Sequence, residues 1–503
     1  MAAGTRDTNW ECAKDRDFDV VIIGGGINGA SLFYSLGKKG YKVLLIDKSD
    51  FASGTSQASA MMVWGGLLYM RDLELGTVFR LCADRDRMLR ELQGRVSPRE
   101  FRFIPLVKGD LSSGMVRAAL HLYWALGLFR RKPPFSENEF RDRGLLKPGI
   151  HGSSLVYEEA ALDSSDCRFT LGWIAPHTAP ATVALNYCSA EGAYSRRENV
   201  WQLCLKDNAC RRETRIRARL VANCAGVWAD RVNGQFGIES PFRHALSKGV
   251  FIGIERPASH DSILIFEMGS NKDALTLMPW GPVSLWGPTE TFPESIEDGF
   301  TAAAEDIRFL LENINLHLDQ KVDASLIVSV RCGVRPLAVK KDFHRDCYPL
   351  DLSRRQEIVM DGDLPWVSIY GGKLTGCRET AAQAARKIAS RLHPAGAVAK
   401  SMENADAAGG QWIEWPGLEQ KVPAPQWCAR QEFCCTLEDD LRRRTNISQW
   451  VPRQGLGRDN EHAGILVRAA QDIYQCGRSA AEAVVGEYRE QVECVYDRVL
   501  EQV

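Results

Sequence analysis

Gly24-Gly25-Gly26-Ile27-Asn28-Gly29 follows the apolar run Val20-Val21-Ile22-Ile23 and opens onto Ala30-Ser31-Leu32-Phe33. Gly24, Gly26 and Gly29 thus stand in G-x-G-x-x-G spacing between a buried strand and the start of a helix. Each glycine has its own reason in that setting. The first permits the tight turn, the second lets backbone approach a pyrophosphate, and the third lets helix and strand pack closely. The helix N-terminus then offers free N–H groups to phosphate charge, drawing in Ile27 and Asn28. A second apolar run, Val43-Leu44-Leu45-Ile46, closes on Asp47 and Lys48, at the spacing expected of a carboxylate that accepts ribose hydroxyls. A glycine-rich turn alone is weak. Strand, turn, helix, strand and terminal acid in this order predict a dinucleotide site.

Composition narrows the class without deciding it. At 503 residues the chain has room for two or three domains with ample core. A net charge of −1 gives no basis for general nucleic-acid binding, which leans on a basic surface. The fifteen cysteines are scattered and form no C-x-x-C pair, so neither a metal site nor a disulfide framework is expected. Reduced thiols in a cytoplasmic protein follow. Met1 to Asp17 is polar and charged, with no secretory leader, and no run approaches the roughly 20 apolar residues of a spanning helix. The apolar segment Met115 to Phe129 ends in Arg130-Arg131-Lys132. It reads either as a buried helix with a solvated basic end or as an interfacial helix giving peripheral membrane contact.

Two further elements choose between NAD and FAD. Leu220-Val221-Ala222-Asn223-Cys224-Ala225-Gly226-Val227-Trp228 is a strand ending on small residues, and Trp366 to Tyr370 is a strand ending in Gly371-Gly372. Three small-residue turns so far apart suit a long ligand threading the fold, which FAD fits better than NAD. Elsewhere helical patterning runs from about Asp72 to Leu92 and from about Asp163 to Ala181. The stretch from Arg130 to Pro148 reads as loop. Short strands alternate with Gly and Pro from Arg243 to Pro288, as in an antiparallel sheet. Ala395 to Pro425 reads as a linker, and the remainder to Val503 as helical.

These residues resemble a family. Gly24 to Gly29, Thr55-Ser56-Gln57-Ala58-Ser59, Gly65-Gly66-Leu67-Leu68-Tyr69, Asn223 to Trp228, Gly333-Val334-Arg335-Pro336-Leu337 and Gly371-Gly372-Lys373-Leu374-Thr375 look like the FAD-dependent glycerol-3-phosphate dehydrogenases. Those enzymes sit within the wider D-amino-acid oxidase-like flavoproteins. The C-terminal Thr436-Leu437-Glu438-Asp439-Asp440-Leu441-Arg442-Arg443-Arg444-Thr445 resembles their helical cap. The resemblance implies an α/β protein with a Rossmann-like FAD-binding domain, an antiparallel-sheet substrate domain and a C-terminal helical domain. The expected division is 17–80, 150–240 and 360–395 for FAD, 81–149 and 241–359 for substrate, 396–425 as linker, and 426–503 as the helical domain. The resemblance also implies cofactor contacts from Gly24, Gly26, Ile27, Asn28, Gly29, Asp47, Lys48, Thr55, Ser56, Ser59, Ala225, Gly226, Trp228, Gly372, Lys373, Leu374 and Thr375.

The chain departs from that family where substrate is handled. Members typically carry Lys-Leu-Ile-His-Gly-Gly-Leu-Arg-Tyr where this chain reads Met61-Met62-Val63-Trp64-Gly65-Gly66-Leu67-Leu68-Tyr69. Their Lys-Gly-Ser-His is Lys248-Gly249-Val250-Phe251 here. Leu68 cannot hold a phosphate and Phe251 cannot move a proton, whereas Arg335, Arg354 and Lys373 remain as candidate catalytic residues. A phosphate dianion wants several charge-assisted donors. The expected substrate is therefore a small molecule other than glycerol 3-phosphate, with one anionic group on Arg335. C–O oxidation and C–N oxidation of an amine or amino acid both stay open, as does loss of activity. The electron acceptor (oxygen or a quinone) and the choice of monomer or homodimer are open too. Trp64 and Phe251 could equally be plain core residues, His244 reads as a satisfied surface histidine, and Cys332 as an inert thiol.

Overall fold

The computed structural model describes residues 4–70, 73–109, 112–267, 274–343, 355–394 and 411–503. Two sheets organise the first four-fifths of the chain. The first has eight strands, ordered from one edge Glu357–Met360, Trp366–Tyr370, Arg212–Asn223, Asp17–Ile23, Val43–Ile46 and Thr182–Leu185. Pairing is parallel from Trp366–Tyr370 across to Thr182–Leu185. The hairpin Cys188–Ser195 and Val200–Asp207 extends Arg212–Asn223 antiparallel. Both faces of the central strand are covered. Val20 and Ile22 join one core with the helix Ile27–Gly37, while Val21 joins another with Trp10, Trp201 and Trp366. A parallel strand buried on both sides must be apolar throughout, which is why it appears in the sequence as an unbroken run.

The second sheet has nine strands, ordered Ile327–Lys340, Phe242–Glu255, Val283–Gly287, Ala274–Trp280, Ile263–Glu267, Val96–Ile104, Ser154–Leu162 and Met62–Val63, with Phe135–Glu137 beside Ser154–Leu162. It is antiparallel except where Ile263–Glu267 meets Val96–Ile104. One face packs on the helix Ala304–His317 through Ile252, Leu264, Trp286 and Ile307. The other shares a core with the first sheet through Phe251, Met278 and Leu285. The long pairing of Phe242–Glu255 with Ile327–Lys340 sets Ser247 opposite Arg335, Gly249 opposite Gly333 and Phe251 opposite Arg331.

A C-terminal helical unit, including Pro425–Gln431, Ala463–Tyr474 and Arg478–Val492, encloses its own core of Leu437, Leu441, Leu456, Leu466 and Val485.

Several expectations need correction. Ser154–Leu162 and Met62–Val63 pair within the second sheet, although 150–240 and 17–80 were assigned to the cofactor domain. Sequence alone does not show which sheet a short strand joins, because that is decided by long-range pairing. The helix expected from Asp163 to Ala181 is only Asp166–Leu171 and a 3₁₀ turn at Ala175–His177. The stretch 130–148 contains the strand Phe135–Glu137. Of the linker, 395–410 lies outside the described residues, and the rest carries a two-stranded hairpin, Trp412–Ile413 with Val422–Pro423. The polar N-terminus folds as the helix Thr5–Ala13, tied down by Arg6 to Asp207 at 2.6 Å. Among the described residues no helix is long and apolar enough to cross a membrane, no cluster could hold a metal, and the cysteines are free thiols.

Candidate active site

A cleft opens at the carboxyl ends of Asp17–Ile23, Val43–Ile46 and Arg212–Asn223. That is where an open parallel sheet accepts ligands. Its floor is shaped by glycine. Gly24 has φ +106°, and a Cβ there would lie 2.5 Å from the Cys224 carbonyl oxygen. A Cβ on Gly29 would overlap the Gly24 carbonyl oxygen, so Gly29 lets helix and strand touch and does not itself line the cleft. The helix Ile27–Gly37 starts at the cleft with Gly26, Ile27 and Asn28 in its wall. The Ile27 N–H donates to Ser56 Oγ at 2.9 Å.

Asp47 is half-buried at the rim, where its carboxylate accepts N–H bonds from Gly25 (2.7 Å) and Ser49 (2.9 Å). Burial outweighs those bonds and raises its pKa to about 6. Lys48 places its Nζ 4.1 Å over the Trp228 ring, which stacks on Phe300 at 5.5 Å. On the far side Gly371 (φ +65°) and Gly372 (φ +98°) follow the strand Trp366–Tyr370. Gly371 is held through both of its backbone polar groups. Its carbonyl accepts from Asn28 Nδ2 (3.0 Å), and its N–H donates to His244 Nε2 (3.1 Å). His244 is thus buried, not on the surface, and burial lowers its pKa to about 4.

A dinucleotide fits this lining. The glycine cradle leaves room that any Cβ would fill, and Gly226 (φ +55°) faces open space. Asn28 Oδ1 is buried without a hydrogen-bond partner among the described residues. FAD would be held by Gly24, Gly26, Ile27 and Asn28, by Asp47 and Lys48, by Thr55, Ser56 and Ser59, by Ala225, Gly226 and Trp228, and by Gly372 and Leu374, all of which line the cleft. Three expected contacts sit elsewhere. Besides Gly29, Thr375 accepts the Trp64 N–H at 3.1 Å, and Lys373 lies 3.6 Å over the Tyr69 ring. Ser53 and Gly54, in the small-residue stretch suited to close approach to a ligand, also line the cleft, and lining residues that the sequence does not mark include Ser189, Ala190, Gln235 and Phe236. Those at 189–190 and 235–236 reach the cleft only through chain crossings that leave no local motif.

The substrate candidates form a second group beside the cleft. Arg335 precedes Pro336 of the lining, and its Nη1 reaches Glu290 Oε2 (2.9 Å) and Ser247 Oγ (3.2 Å). Ser247 in turn donates to Glu290. A Cβ on Gly249 would meet the Arg335 guanidinium, which therefore lies across that strand. Phe251 is 3% exposed and packed in the shared core against Gly287. Trp64 and Gly65 are pinned from behind: the Gly65 N–H donates to Glu159 (3.2 Å), itself bonded to Arg85 (2.9 Å) and Tyr123. Cys332 is a thiol that burial pushes up to about 12, which keeps it protonated. Arg354 lies outside the described residues.

The family described as "FAD dependent oxidoreductase" matches residues 19–360. A glycerol-3-phosphate dehydrogenase of Mycobacterium leprae is 30% identical over 389 residues, covering 75% of this chain and 64% of that protein. This chain therefore spans somewhat less than two thirds of that relative's length. Among solved structures, the glycerol-3-phosphate dehydrogenase of Bacillus halodurans complexed with FAD has a TM-score of 0.72 at 19% identity, covering 98% of both chains. A glycine oxidase from Geobacillus kaustophilus has a TM-score of 0.51 at 15% identity, covering 76% of this chain and 97% of that one. Fold, glycine cradle and family match agree: the chain belongs to the FAD-dependent oxidoreductases and is related to the glycerol-3-phosphate dehydrogenases.

Proposed function

We propose that this FAD-dependent oxidoreductase removes a hydride from a carbon of a small substrate carrying less negative charge than glycerol 3-phosphate. Bound FAD supplies the hydride-accepting chemistry at N5. The observation that carries the proposal is the pairing of Arg335 with Glu290. A guanidinium already neutralised by a buried carboxylate is a poor seat for a phosphate dianion, which needs several uncompensated donors. The apolar positions Leu68 and Phe251 agree with it. Arg335, with Ser247 and Glu290, orients a substrate that offers both donors and acceptors, and Lys373 beside Tyr69 supplies a basic group on the 371–375 turn.

Oxidation of an amine or amino acid is the second reading, and Glu290 favours it. A carboxylate beside a guanidinium suits a zwitterion, and a neutral amine needs no strong dedicated base to give up hydride. Anaerobic mixing separates the readings. The flavin of the purified protein is followed while glycerol 3-phosphate, polyols, hydroxy acids and amino acids are added. Slow bleaching by glycerol 3-phosphate is expected. Rapid bleaching would overturn the proposal, and selective bleaching by amino acids would establish the second reading.

Peripheral membrane contact belongs to the same proposal. On the helix Ser113–Leu126 the buried side is Val116, Leu120 and Tyr123. Met115 and Leu122 are 54% and 49% exposed, and Leu128 and Phe129 continue the apolar stripe at 50% and 61%. An exposed apolar stripe beside Arg130 and Lys132, which stay exposed while pairing with Asp86 and Glu158, is complementary to an anionic bilayer surface.

A further inference from the structure

The loop from Ser53 to Ser59 supplies Ser53, Gly54, Thr55, Ser56 and Ser59 to the cleft. It is held by the C-terminal helical unit. The Gln57 carbonyl accepts from Arg442 Nη2 at 2.6 Å, and Gln57 Oε1 accepts from Arg443 Nη1 at 3.2 Å. Gln57 Nε2 donates to the Ser53 carbonyl at 2.6 Å, so the grip extends to the start of the loop. At the other end the Ser59 carbonyl accepts from Arg331 (3.0 Å) and its N–H donates to Asp166 (2.8 Å). Ser56, between the two, holds the first N–H of the helix Ile27–Gly37.

The three consecutive arginines do not play the same part. Arg443 and Arg444 are matched by buried carboxylates, with Asp50 at 2.6 and 2.8 Å and Asp439 at 2.5 Å. They bond the two units together. Arg442 is bonded to a backbone carbonyl, and its Nη1 is buried without a hydrogen-bond partner among the described residues. Burial and the neighbouring Arg331 bring its pKa down to about 10. A half-buried cation whose enclosed Nη1 has no partner among the described residues opposes folding. Its retention is explained by what it holds.

We propose that Arg442 is a positioning residue through which the C-terminal unit sets the Ser53–Ser59 loop, so that the cleft has full affinity for FAD only with that unit docked. The signature is a separation of two quantities that a merely structural arginine would move together. Arg442→Met removes an under-compensated charge while keeping most of the volume, so the FAD-free full-length chain should unfold at the same temperature or higher. The same variant should bind FAD about 10- to 100-fold more weakly, the worth of one lost hydrogen bond from a charged donor. Arg442→Lys, which can still donate to the Gln57 carbonyl, should recover most of the affinity.

The experiment titrates FAD into deflavinated full-length protein by flavin fluorescence, beside thermal unfolding of the same samples without FAD. Gln57→Ala keeps the carbonyl that Arg442 holds and removes only the side-chain contacts to Arg443 and Ser53, so it should bind FAD more tightly than Arg442→Met, and an equal fall in affinity would overturn the assignment to Arg442. Unchanged FAD affinity in Arg442→Met overturns the proposal. So does a fall in affinity matched by a fall in FAD-free stability. Should Arg442→Met fail to fold, the outcome with Arg442→Leu, which equally removes the donor to the Gln57 carbonyl, decides: weaker FAD binding at unchanged FAD-free stability upholds the proposal and wild-type affinity overturns it.

Discussion

Arg335 Nη1 lies 2.9 Å from Glu290 Oε2, and Ser247 is hydrogen-bonded to both residues. The one arginine of the second sheet that the sequence marks as an anion holder is thus already half of an ion pair. Glu290→Gln keeps the shape and removes the neutralising charge. Inorganic phosphate or a short carboxylate, detected by its perturbation of the flavin absorption bands, should then bind about tenfold tighter than to wild type. Arg335→Ala should abolish that response. If neither substitution changes anion binding, Arg335 serves the sheet and not the substrate.

The two glycines of the cradle should fail in different ways. A Cβ at Gly29 meets the Gly24 backbone, which cannot yield, so Gly29→Ala should destabilise the fold by about 1–3 kcal/mol. A Cβ at Gly26 meets only Ser56 Oγ at 3.1 Å. Gly26→Ala should therefore fold with near wild-type stability and lose FAD affinity, because the added methyl stands in the cleft wall. Urea unfolding of the FAD-free proteins, beside FAD titration, distinguishes them. Equal stability losses would mean that Gly26 is also a packing residue.

What the sequence made legible was whatever is local. Strand, glycine turn, helix and terminal Asp47 all fall within 31 consecutive residues, 17–47, and each leaves its mark there. Arg335, Ser247 and Glu290 come from three strands or their ends, brought together by register, so Glu290 went unseen. His244 looks like a surface residue beside Arg243, yet its strand lies between the helix Ala304–His317 and the first sheet, and the side chain turns inward beneath Gly371. The arginines 442–444 were legible as a motif. Their work was not, since Asp50 and Gln57 lie nearly 400 residues away.

The apolar stripe of Ser113–Leu126 and its basic end give a test of membrane contact. Wild type should co-sediment with vesicles of mixed neutral and anionic phospholipid, and less with purely neutral ones, since each basic residue near such a surface contributes about 1 kcal/mol. Leu122→Glu with Phe129→Glu puts charge on two exposed positions and should release the protein without loss of fold or flavin. Sedimentation that is indifferent to lipid charge and to both substitutions would remove the lipid partner.

Acid should loosen the grip on Gly371. His244 Nε2 accepts the Gly371 N–H at 3.1 Å, which requires a neutral ring, and burial lowers the pKa of the group to about 4. In the unfolded chain a histidine titrates near 6.5. The folded state therefore refuses a proton that the unfolded state accepts. The contribution of His244 is complete above pH 6.5 and is lost as pH falls towards 4, by roughly 2–3 kcal/mol at pH 4.5. The groups facing the ring are Asp230, with Oδ2 3.9 Å from Nδ1, and the Tyr370 ring at 5.1 Å. His177, His260 and His317 are also lowered to about 4 by burial, so wild type loses stability in acid from several sites at once. His244→Gln keeps an acceptor for Gly371 and cannot titrate. Its stability should fall less than that of wild type between pH 6.5 and 4.5, by the same 2–3 kcal/mol, roughly, and it should retain FAD to lower pH. Urea unfolding and flavin release across that range give the comparison, and parallel losses in the two proteins would assign the acid response to the other histidines.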